Sequence, residues 1–439
     1  MSDAIPAAYA ALSLDQRRFC QLLALMPGTA CDHVFSPAAA AAALQVDEET
    51  ADAILDLLCT ARLLDRHGDF GQWQMPVPVR THVRALAEGM ADDDRDASLA
   101  RVVRHYLIWA AELDTLIAPG RRRQAPVFGE LPEHPPAASS CREALALLRA
   151  WAPTLAAAQA AAAHRGMHHL AWQFTDVMWG YLTRQQDYPI WRQICEVALE
   201  SVQYFQDPGA HARVHALAGL LDQRCGNLGS AEDHHIQSGR RARQADDTLA
   251  QAAAAQRHGA TLLDQNKLDE ALQVLHGALA LYRAAALPHR RGEALLHRHL
   301  GTALARLRQP ADAEKHFTDA EAILAECDEP YLLACLAVDQ ARAALVCGQP
   351  RRALEYLDQA LRLFPEASVP DEAFRLYLSY RAYTGTGEHD AADRALSATA
   401  ALAERLPPGH PTALLIQKPA QTSSEPSNRP CVPSAERRS

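Results

Sequence analysis

The sequence predicts an all-α protein in which a small N-terminal domain precedes a solenoid of helical hairpins. Three observations support this prediction. Alanine and leucine dominate the apolar residues, which make up 49% of the 439-residue chain, whereas aromatic residues make up only 6%. Such a composition favours closely packed helices over sheets. Short polar loops also recur along residues 209–408 with a period of about 40 residues, which is typical of a repeat protein.

The first domain is predicted to comprise residues 13–92. Its pattern starts as amphipathic helices and then changes to short alternating segments around a glycine turn. The predicted elements are, in order, helices at residues 12–26, 36–44 and 48–64, two short strands within residues 63–75, and a helix at residues 79–89. Three helices, a β-hairpin and a further helix follow the order of a winged-helix domain, so we expect a winged-helix-like domain here.

The repeats are recognised by an alanine at the end of each polar loop. A small residue stands twelve positions before that alanine, and a larger and then a small residue follow four and seven positions after it. These four positions are Gly219, Ala231, His235 and Ser238 in the first repeat, Gly259, Ala271, Leu275 and Ala278 in the second, Gly301, Ala313, Phe317 and Ala320 in the third, and Ala341, Ala353, Leu357 and Ala360 in the fourth. This spacing resembles the tetratricopeptide signature, and Pro365 matches its terminal proline.

A fifth repeat is degenerate, and its polar loop ends at Ala392. Tyr380 and Thr399 stand where the pattern has small residues. One further, looser hairpin around Trp191 is left open. The sequence therefore predicts about five tetratricopeptide-type repeats within residues 209–408, each longer than the usual 34 residues.

The remaining segments are assigned by composition. Residues 93–141 are predicted to form a helix followed by a linker rich in proline and polar residues. Residues 142–208 are predicted to form a helical lead-in to the solenoid. Residues 418–439 have no core-forming residues, so we expect a disordered tail.

The charge distribution disfavours DNA as the partner. The formal net charge is -10, and the predicted third helix, which would be the recognition helix of a winged-helix domain, is strongly acidic. Its acidic residues are Asp47, Glu48, Glu49, Asp52 and Asp56. Such a surface would repel a phosphate backbone instead of displacing its counterions.

No motif indicates catalysis or a cofactor. None of the three lysines follows a G-x-x-x-x-G stretch, so no phosphate-binding loop for a nucleotide is predicted. Asp69-Phe70-Gly71 matches a tripeptide of protein kinases, but the other kinase motifs are missing, so we interpret it as a turn. No serine or cysteine has a local nucleophile signature. The sequence thus predicts a protein that is not an enzyme, with no catalytic residues and no cofactor.

Two histidine pairs have the spacing of metal ligands on a helix. They are His164 with His168, which Gly166 interrupts, and His211 with His215. Neither pair contains the glutamate of a metalloprotease helix. Pairs at this spacing are expected by chance among 20 histidines, so no metal site is predicted.

The chain carries no targeting signal that we recognise. Its ten cysteines include no C-x-x-C pair, which indicates reduced thiols. The N-terminus lacks the pattern of a signal peptide, and the longest uncharged stretch, Ala150 to Ala163, contains Pro153 and is too short to span a bilayer. We therefore expect a cytoplasmic protein without a membrane segment.

The candidate binding surface is the concave face of the solenoid. In the tetratricopeptide register, the first helix of each hairpin lines that face. The predicted partner-binding residues are Arg213, Gln223, Arg224, Gln256, Arg298, Thr302, Arg306 and Arg342. Arginine pairs with carboxylates through two parallel hydrogen bonds, so a protein or peptide with an acidic segment is the expected partner. The alternative is that these arginines are ordinary solvated side chains. For Trp172, Trp179 and Trp191 we favour hairpin packing over ligand stacking.

The order of these parts resembles the bacterial NB-ARC-tetratricopeptide regulators of the STAND class. Leu12-Ser-Leu-Asp-Gln-Arg-Arg-Phe-Cys resembles the start of their winged helix, and Glu143-Ala-Leu-Ala-Leu-Leu-Arg-Ala-Trp resembles the helix that begins their repeat region. The resemblance covers residues 13 to about 405 and implies a regulator of transcription, since many members control antibiotic production.

Two departures from that family pattern change what the resemblance implies. The family's Met-His-Asp-Leu-Val-Arg sensor of bound ADP aligns with Met75-Pro76-Val77-Pro78-Val79-Arg80, so Pro76 and Val77 replace its histidine and aspartate. The nucleotide-binding module that precedes the winged helix in the family is also expected to be absent. We therefore expect no nucleotide site, while a module supplied by a separate protein is left open.

Three functions are compatible with the sequence. The leading hypothesis is a non-catalytic regulatory adaptor that binds a protein or peptide on the concave face. The second is a DNA-binding transcriptional regulator that acts through the winged helix under the control of a ligand. The third is an accessory protein that docks a carrier or precursor in a biosynthetic pathway.

Overall fold

The computed structural model confirms the helical solenoid. The residues it describes are 4–28, 33–68, 72–133, 137–286, 288–327, 329–363, 367–406 and 410–417. Asp69-Phe70-Gly71, Pro365 and the tail at residues 418–439 lie outside these ranges. Among the described residues, no helix is both long and apolar enough to cross a bilayer.

The N-terminal region combines five helices with a small antiparallel sheet. The helices are α1 (Ala4–Ala10), α2 (Leu14–Leu25), α3 (Pro37–Leu44), α4 (Glu48–Thr60) and α5 (Val77–Ala87), and the strands are β1 (Val34–Phe35), β2 (Asp65–His67) and β3 (Gln72–Gln74). Strand β3 lies between β1 and β2. The order of helices and hairpin agrees with the sequence prediction, although α1 and β1 were not predicted. The assignment as a winged helix stays a prediction.

Local sequence explains where these helices begin. The side chains of Ser13, Ser36 and Asp47 each accept a hydrogen bond from the backbone N–H three residues later, which caps α2, α3 and α4. Trp73 of β3 is buried against the helices, and the Arg66 guanidinium lies 4.5 Å from the centre of its ring. The sheet therefore closes one side of the N-terminal core.

A long helix and a folded segment follow. Helix α6 (Asp92–Ile117) leads into residues 118–140, which include a short 3-10 turn at Pro126–Gly129. We predicted a linker here, yet Arg121, Ala125 and Val127 are buried. The segment differs from a free spacer because its arginines bind carboxylates of neighbouring helices, as described below.

In the part of the lead-in and the solenoid that the structure describes, all regular elements are helices. The lead-in contains α7 (Cys141–His164), α8 (His168–Ala171), α9 (Phe174–Val177), α10 (Trp179–Gln185) and α11 (Tyr188–Ser201). Five hairpins follow in the described ranges: α12 (Pro208–Arg224) with α13 (Leu228–Gln244), α14 (Thr248–Asp264) with α15 (Leu268–Ala284), α16 (Arg290–Arg306) with α17 (Pro310–Glu326), α18 (Pro330–Val346) with α19 (Pro350–Leu363), and α20 (Val369–Thr386) with α21 (His389–Ala403). Helix α22 (Pro411–Gln417) comes last.

The small residues of the repeat pattern sit where two helices approach most closely. A Cβ atom added to Gly259 would lie 2.6 Å from Leu275, and one added to Gly301 would lie 2.6 Å from Phe317. Real Cβ contacts are not that short, so only glycine fits at these two positions. Each glycine thus packs against the large residue of its own hairpin.

The first helices of the hairpins line the inner face of the solenoid. Helix α12 contacts α14, α14 contacts α16, α16 contacts α18, and α18 contacts α20, whereas each second helix contacts the first helix of the next hairpin. The inner face is therefore formed by α12, α14, α16, α18 and α20.

The solenoid closes on itself. Gln186 donates to Ser368 Oγ at 3.0 Å, and the hydroxyl of Tyr188 lies 3.1 Å from His410 Nε2. These contacts join the start of α11 to the fifth hairpin and to the residue before α22. The inner face consequently surrounds a lumen.

Candidate functional site

A basic pocket lies in the lumen, between the lead-in helices and the first helices of three hairpins. Its cavity volume is about 60 Å³. A single buried water needs roughly 10–15 Å³ on this measure, so the space could hold a carboxylate-sized group. The arginines that line it are Arg121, Arg122, Arg213, Arg257 and Arg291.

Arg121 and Arg213 belong to a buried charge cluster. Nη2 of Arg121 donates to Asp114 Oδ2 at 2.6 Å, and Nε of Arg213 donates to Asp176 Oδ1 at 2.8 Å. Asp176 Oδ2 also accepts the backbone N–H groups of Gln124 and Ala125. Burial alone would lower the pKa of Arg121, but Asp114 and Asp176 outweigh it and raise that pKa. Both arginines are therefore paired with carboxylates of the protein, and Arg123 shares Asp114 with Arg121.

Arg122 and Arg291 are also paired. Arg122 forms two hydrogen bonds with Asp247, at 2.8 and 2.7 Å, in the bidentate geometry that arginine favours. Nε of Arg291 donates to Glu329 Oε1 at 2.9 Å. Because the Asp247 side chain caps α14 and Glu329 directly precedes α18, these pairs fasten the pocket to the ends of the inner helices.

Arg257 is the exception among the five. Its side chain has no hydrogen bond or ion pair with any residue that the structure describes, and its guanidinium lies 5.2 Å from the centre of the Trp179 ring. Burial, together with the charges of Arg291 and Arg121, lowers its pKa to about 10. A pKa of about 10 still leaves the side chain protonated at pH 7, so the pocket contains a charged guanidinium that pairs with no described carboxylate.

The pKa of His289 shows the effect of the same arginines. Burial, together with the charges of Arg291, Arg122 and Arg257, lowers its pKa to about 4. Its Nδ1 accepts the N–H of Gly292 at 3.0 Å, which caps α16, while its Nε2 is buried without a described partner. A neutral imidazole and an unpaired guanidinium therefore face one cavity, which suits the binding of an anion.

The predicted concave residues lie on the first helices, but most of them bind other parts of the solenoid. Arg213 and Gln256 line the pocket. The others have the following contacts: Gln223 donates to Asp264, Arg298 lies 2.8 Å from Asp339, Thr302 donates to the carbonyl of Arg298, Arg306 donates to the carbonyl of Leu263 and to Asn266, and Arg224 lies 3.9 Å from Asp371. Arg342 has no hydrogen bond or ion pair within the described ranges. Their use by a partner stays a prediction.

Several of the predicted residues connect neighbouring hairpins. Gln256 of α14 lies 2.9 Å from His299 of α16, and Arg298 of α16 reaches Asp339 of α18. Each such pair joins the first helices of two adjacent hairpins. The polar residues of the inner face therefore also fix the position of each hairpin relative to the next one.

Sequence reasoning missed the residues that complete the pocket. Arg121 and Arg122 fell in the segment interpreted as a linker, although three consecutive arginines among apolar residues were an available signal. Trp179 was interpreted as a packing residue, yet Arg213 stacks on its ring at 3.7 Å. Arg257 directly follows the predicted Gln256 and was not assigned to the inner face.

One histidine of each pair considered from sequence contacts another aromatic ring. His168 stacks on Tyr204 with ring centres 3.9 Å apart. Nδ1 of His215 lies 2.9 Å from Nδ1 of His234 on the next helix.

Comparison with known proteins gives one relative in sequence. No family model matches the chain. Over 337 residues it is 27% identical to the regulatory protein AfsR of Streptomyces coelicolor, which covers 74% of this chain and 32% of that protein. The chain thus spans about a third of the length of this relative.

Several solved structures are similar at low identity. A STAND protein with a tetratricopeptide repeat sensor from Pyrococcus horikoshii is 12% identical, with a TM-score of 0.43 over 93% of this chain and 59% of that one. A Rap protein complexed with competence and sporulation factor is 14% identical, with a TM-score of 0.49 over 77% of this chain and 89% of that one.

Proposed function

We propose that this protein is a non-catalytic regulatory adaptor whose lumen binds a protein or peptide through a carboxylate group. The observation that carries the proposal is Arg257, a protonated and unpaired guanidinium in a pocket whose other arginines are all paired with carboxylates. A carboxylate placed there would form charge-assisted hydrogen bonds with Arg257, which are stronger than those between neutral groups.

The surroundings of Arg257 favour the carboxylate of a peptide over a larger free anion. The cavity is about 60 Å³, which accommodates a single carboxylate, and Trp179 offers an apolar ring beside it. The bound carboxylate would be an Asp or Glu side chain or a chain terminus, with the rest of the segment lying along the inner face. Arg342, which has no described hydrogen bond or ion pair, is available there to contact it.

A regulatory role is supported by the similarity to a regulatory protein. The chain spans only about a third of that relative. That this protein transmits a regulatory signal is therefore part of the proposal. The acidic surface of α4 supports a protein partner over DNA. Asp47, Glu48, Glu49 and Asp52 are all exposed there, so a phosphate backbone would be repelled.

The test uses the full-length protein and pairs of fluorescent peptides. Each acidic peptide, rich in Asp and Glu with a free C-terminus, is matched by a peptide with Asn, Gln and a C-terminal amide. Fluorescence anisotropy should show binding of the acidic member only. Arg257→Gln should weaken that binding by about 2 kcal/mol, or roughly thirtyfold, because a charged hydrogen-bond partner is lost.

Arg243→Gln is the matched control, since Arg243 is exposed on α13 and outside the pocket. It should bind the acidic peptides as wild type does. Equal affinity for both members of the pairs, or an unchanged affinity in Arg257→Gln, would show that the pocket is not the binding site.

A further inference from the structure

Three side chains that can hold a metal ion meet at the interface of α16 and α17. Nδ1 of His297 lies 3.0 Å from Nδ1 of His316 and 3.3 Å from Oδ2 of Asp319. All the ligand atoms of this trio lie within 4.8 Å of one another. Among the described residues, this is the one group of three or more His, Cys, Asp or Glu side chains that meets that geometry.

These separations match those of ligands around a common ion. Zinc binds histidine nitrogen at about 2.0–2.1 Å and carboxylate oxygen at about 2.0–2.2 Å, so two ligands at the tetrahedral angle lie roughly 3.3 Å apart. The observed distances of 3.0 and 3.3 Å are close to that value. An ion could therefore be bound with only small adjustments of the three side chains.

The ligands are held by a rigid part of the fold. His316 and Asp319 stand one turn apart on α17, so their side chains lie on the same face of the helix. His297 faces them from α16, and the packing of Phe317 on Gly301 keeps the two helices close. Neighbouring Arg298 points the other way, to Asp339 of α18. The cluster is thus separate from the contacts of the inner face.

The site is open to solvent on one side. The His297 side chain is 13% exposed, whereas that of Asp319 is 58% exposed. An ion could enter past Asp319, and a water molecule could complete its coordination. Two imidazoles and one carboxylate suit Zn²⁺ and other first-row divalent ions, whereas Mg²⁺ and Ca²⁺ prefer oxygen ligands.

The first hairpin provides an internal comparison. His215 and His234 occupy the same positions there, 19 residues apart like His297 and His316, with the two Nδ1 atoms 2.9 Å apart. The position of Asp319, however, is held by Gln237, whose neutral amide is a poor zinc ligand. The ring-to-ring contact is therefore common to both hairpins. In the first hairpin Asp222 lies 3.8 Å from Nε2 of His234, whereas in the third Asp319 lies 3.3 Å from one of the paired Nδ1 atoms.

We propose that the third hairpin binds one divalent ion of the zinc class through His297, His316 and Asp319, with water as a further ligand. The ion would cross-link α16 to α17. This site is independent of the basic pocket and does not depend on its proposed function.

The experiment titrates the full-length, chelator-treated protein with Zn²⁺ by calorimetry and with Co²⁺ by absorption spectroscopy. One equivalent should bind, and the Co²⁺ spectrum should lack the thiolate charge-transfer band that binding to any of the ten cysteines would produce. Asp319→Ala and the double variant His297→Ala/His316→Ala should each weaken binding by at least about tenfold, since even outer-shell changes at metal sites cost that much.

The matched control is His215→Ala/His234→Ala, which should bind the ion as wild type does. Asp319 is exposed, so its substitution leaves the core intact, and circular dichroism checks the fold of every variant. Failure of wild type to bind either ion would overturn the proposal. Thiolate charge transfer, or equal affinity in wild type and Asp319→Ala, would do so as well.

Discussion

The first and third hairpins share a backbone plan and differ in chemistry. Both place a glycine on the first helix, Gly219 and Gly301, against a ring on the second helix, and a Cβ atom added to either glycine would lie within 2.6 Å of that ring. Both also carry a histidine pair with ring centres about 5 Å apart, 5.1 Å in one and 5.0 Å in the other. The ring beneath the glycine is His235 in the first hairpin and Phe317 in the third.

The replacement of a phenyl ring by an imidazole changes what the buried ring contributes to the stability of the hairpin. His235 is 1% exposed, and neither of its ring nitrogens has a hydrogen-bond partner in the described part of the chain. A buried polar atom without a partner costs about 1–3 kcal/mol, whereas a buried phenyl ring is favourable. The comparison shows that the repeat tolerates a buried polar ring, His235, when that ring fits the space under the glycine.

The largest effect should come from removing each ring. Phe317→Ala should lower the free energy of unfolding by about 3–5 kcal/mol, because it removes a buried aromatic ring and leaves a cavity. His235→Ala should cost at most about 1 kcal/mol, because the lost packing is offset by the removal of two unpaired polar atoms. Denaturant unfolding followed by circular dichroism measures both, and equal losses would contradict the comparison.

A smaller effect of opposite sign is expected when the first hairpin is made to match the second. His235→Leu introduces the residue that the second hairpin has at this position, Leu275, and should raise the free energy of unfolding by about 1–3 kcal/mol. The same denaturation assay applies. His276→Gln, on the exposed surface of α15, should leave the stability unchanged, and destabilisation by His235→Leu would show that the imidazole has a partner.

The smallest effect concerns pH. Burial, followed by the charges of Arg257, His258 and His234, lowers the pKa of His235 well below its ordinary value of 6.5. The unfolded chain therefore binds a proton that the folded chain excludes, so this contribution to stability is complete above pH 6.5 and is lost as the pH falls below it. The loss approaches about 1.4 kcal/mol per pH unit.

The His235→Leu variant has no imidazole at this position and should not lose stability in this way. Its stability advantage over wild type should therefore grow as the pH falls from 7 to 5. Unfolding measured at both values gives the difference directly, and the other buried histidines cancel because both proteins contain them. An advantage that does not change with pH would mean that His235 is not kept neutral by the fold.

The sequence predicted the scaffold better than the site. The hairpins follow the small and large positions of the pattern, because contacts within a hairpin join residues at a constant separation. The pocket depends on contacts such as Arg122 with Asp247, which are 125 residues apart and follow no period. Segment 120–124 was interpreted as a linker because its arginines had no visible partners in the sequence.

The sequence by itself determined the helical class and the spacing of the small and large positions of the repeats, such as Gly259 with Leu275 and Gly301 with Phe317. These features depend on local propensity and on fixed spacing, both of which can be seen in one chain. The tertiary structure alone decided that the solenoid closes, as Gln186 meets Ser368 across 182 residues. It also decided that Arg257 is left unpaired and that Asp319 meets two histidines, because the partners of a side chain depend on which helices the closed ring brings together.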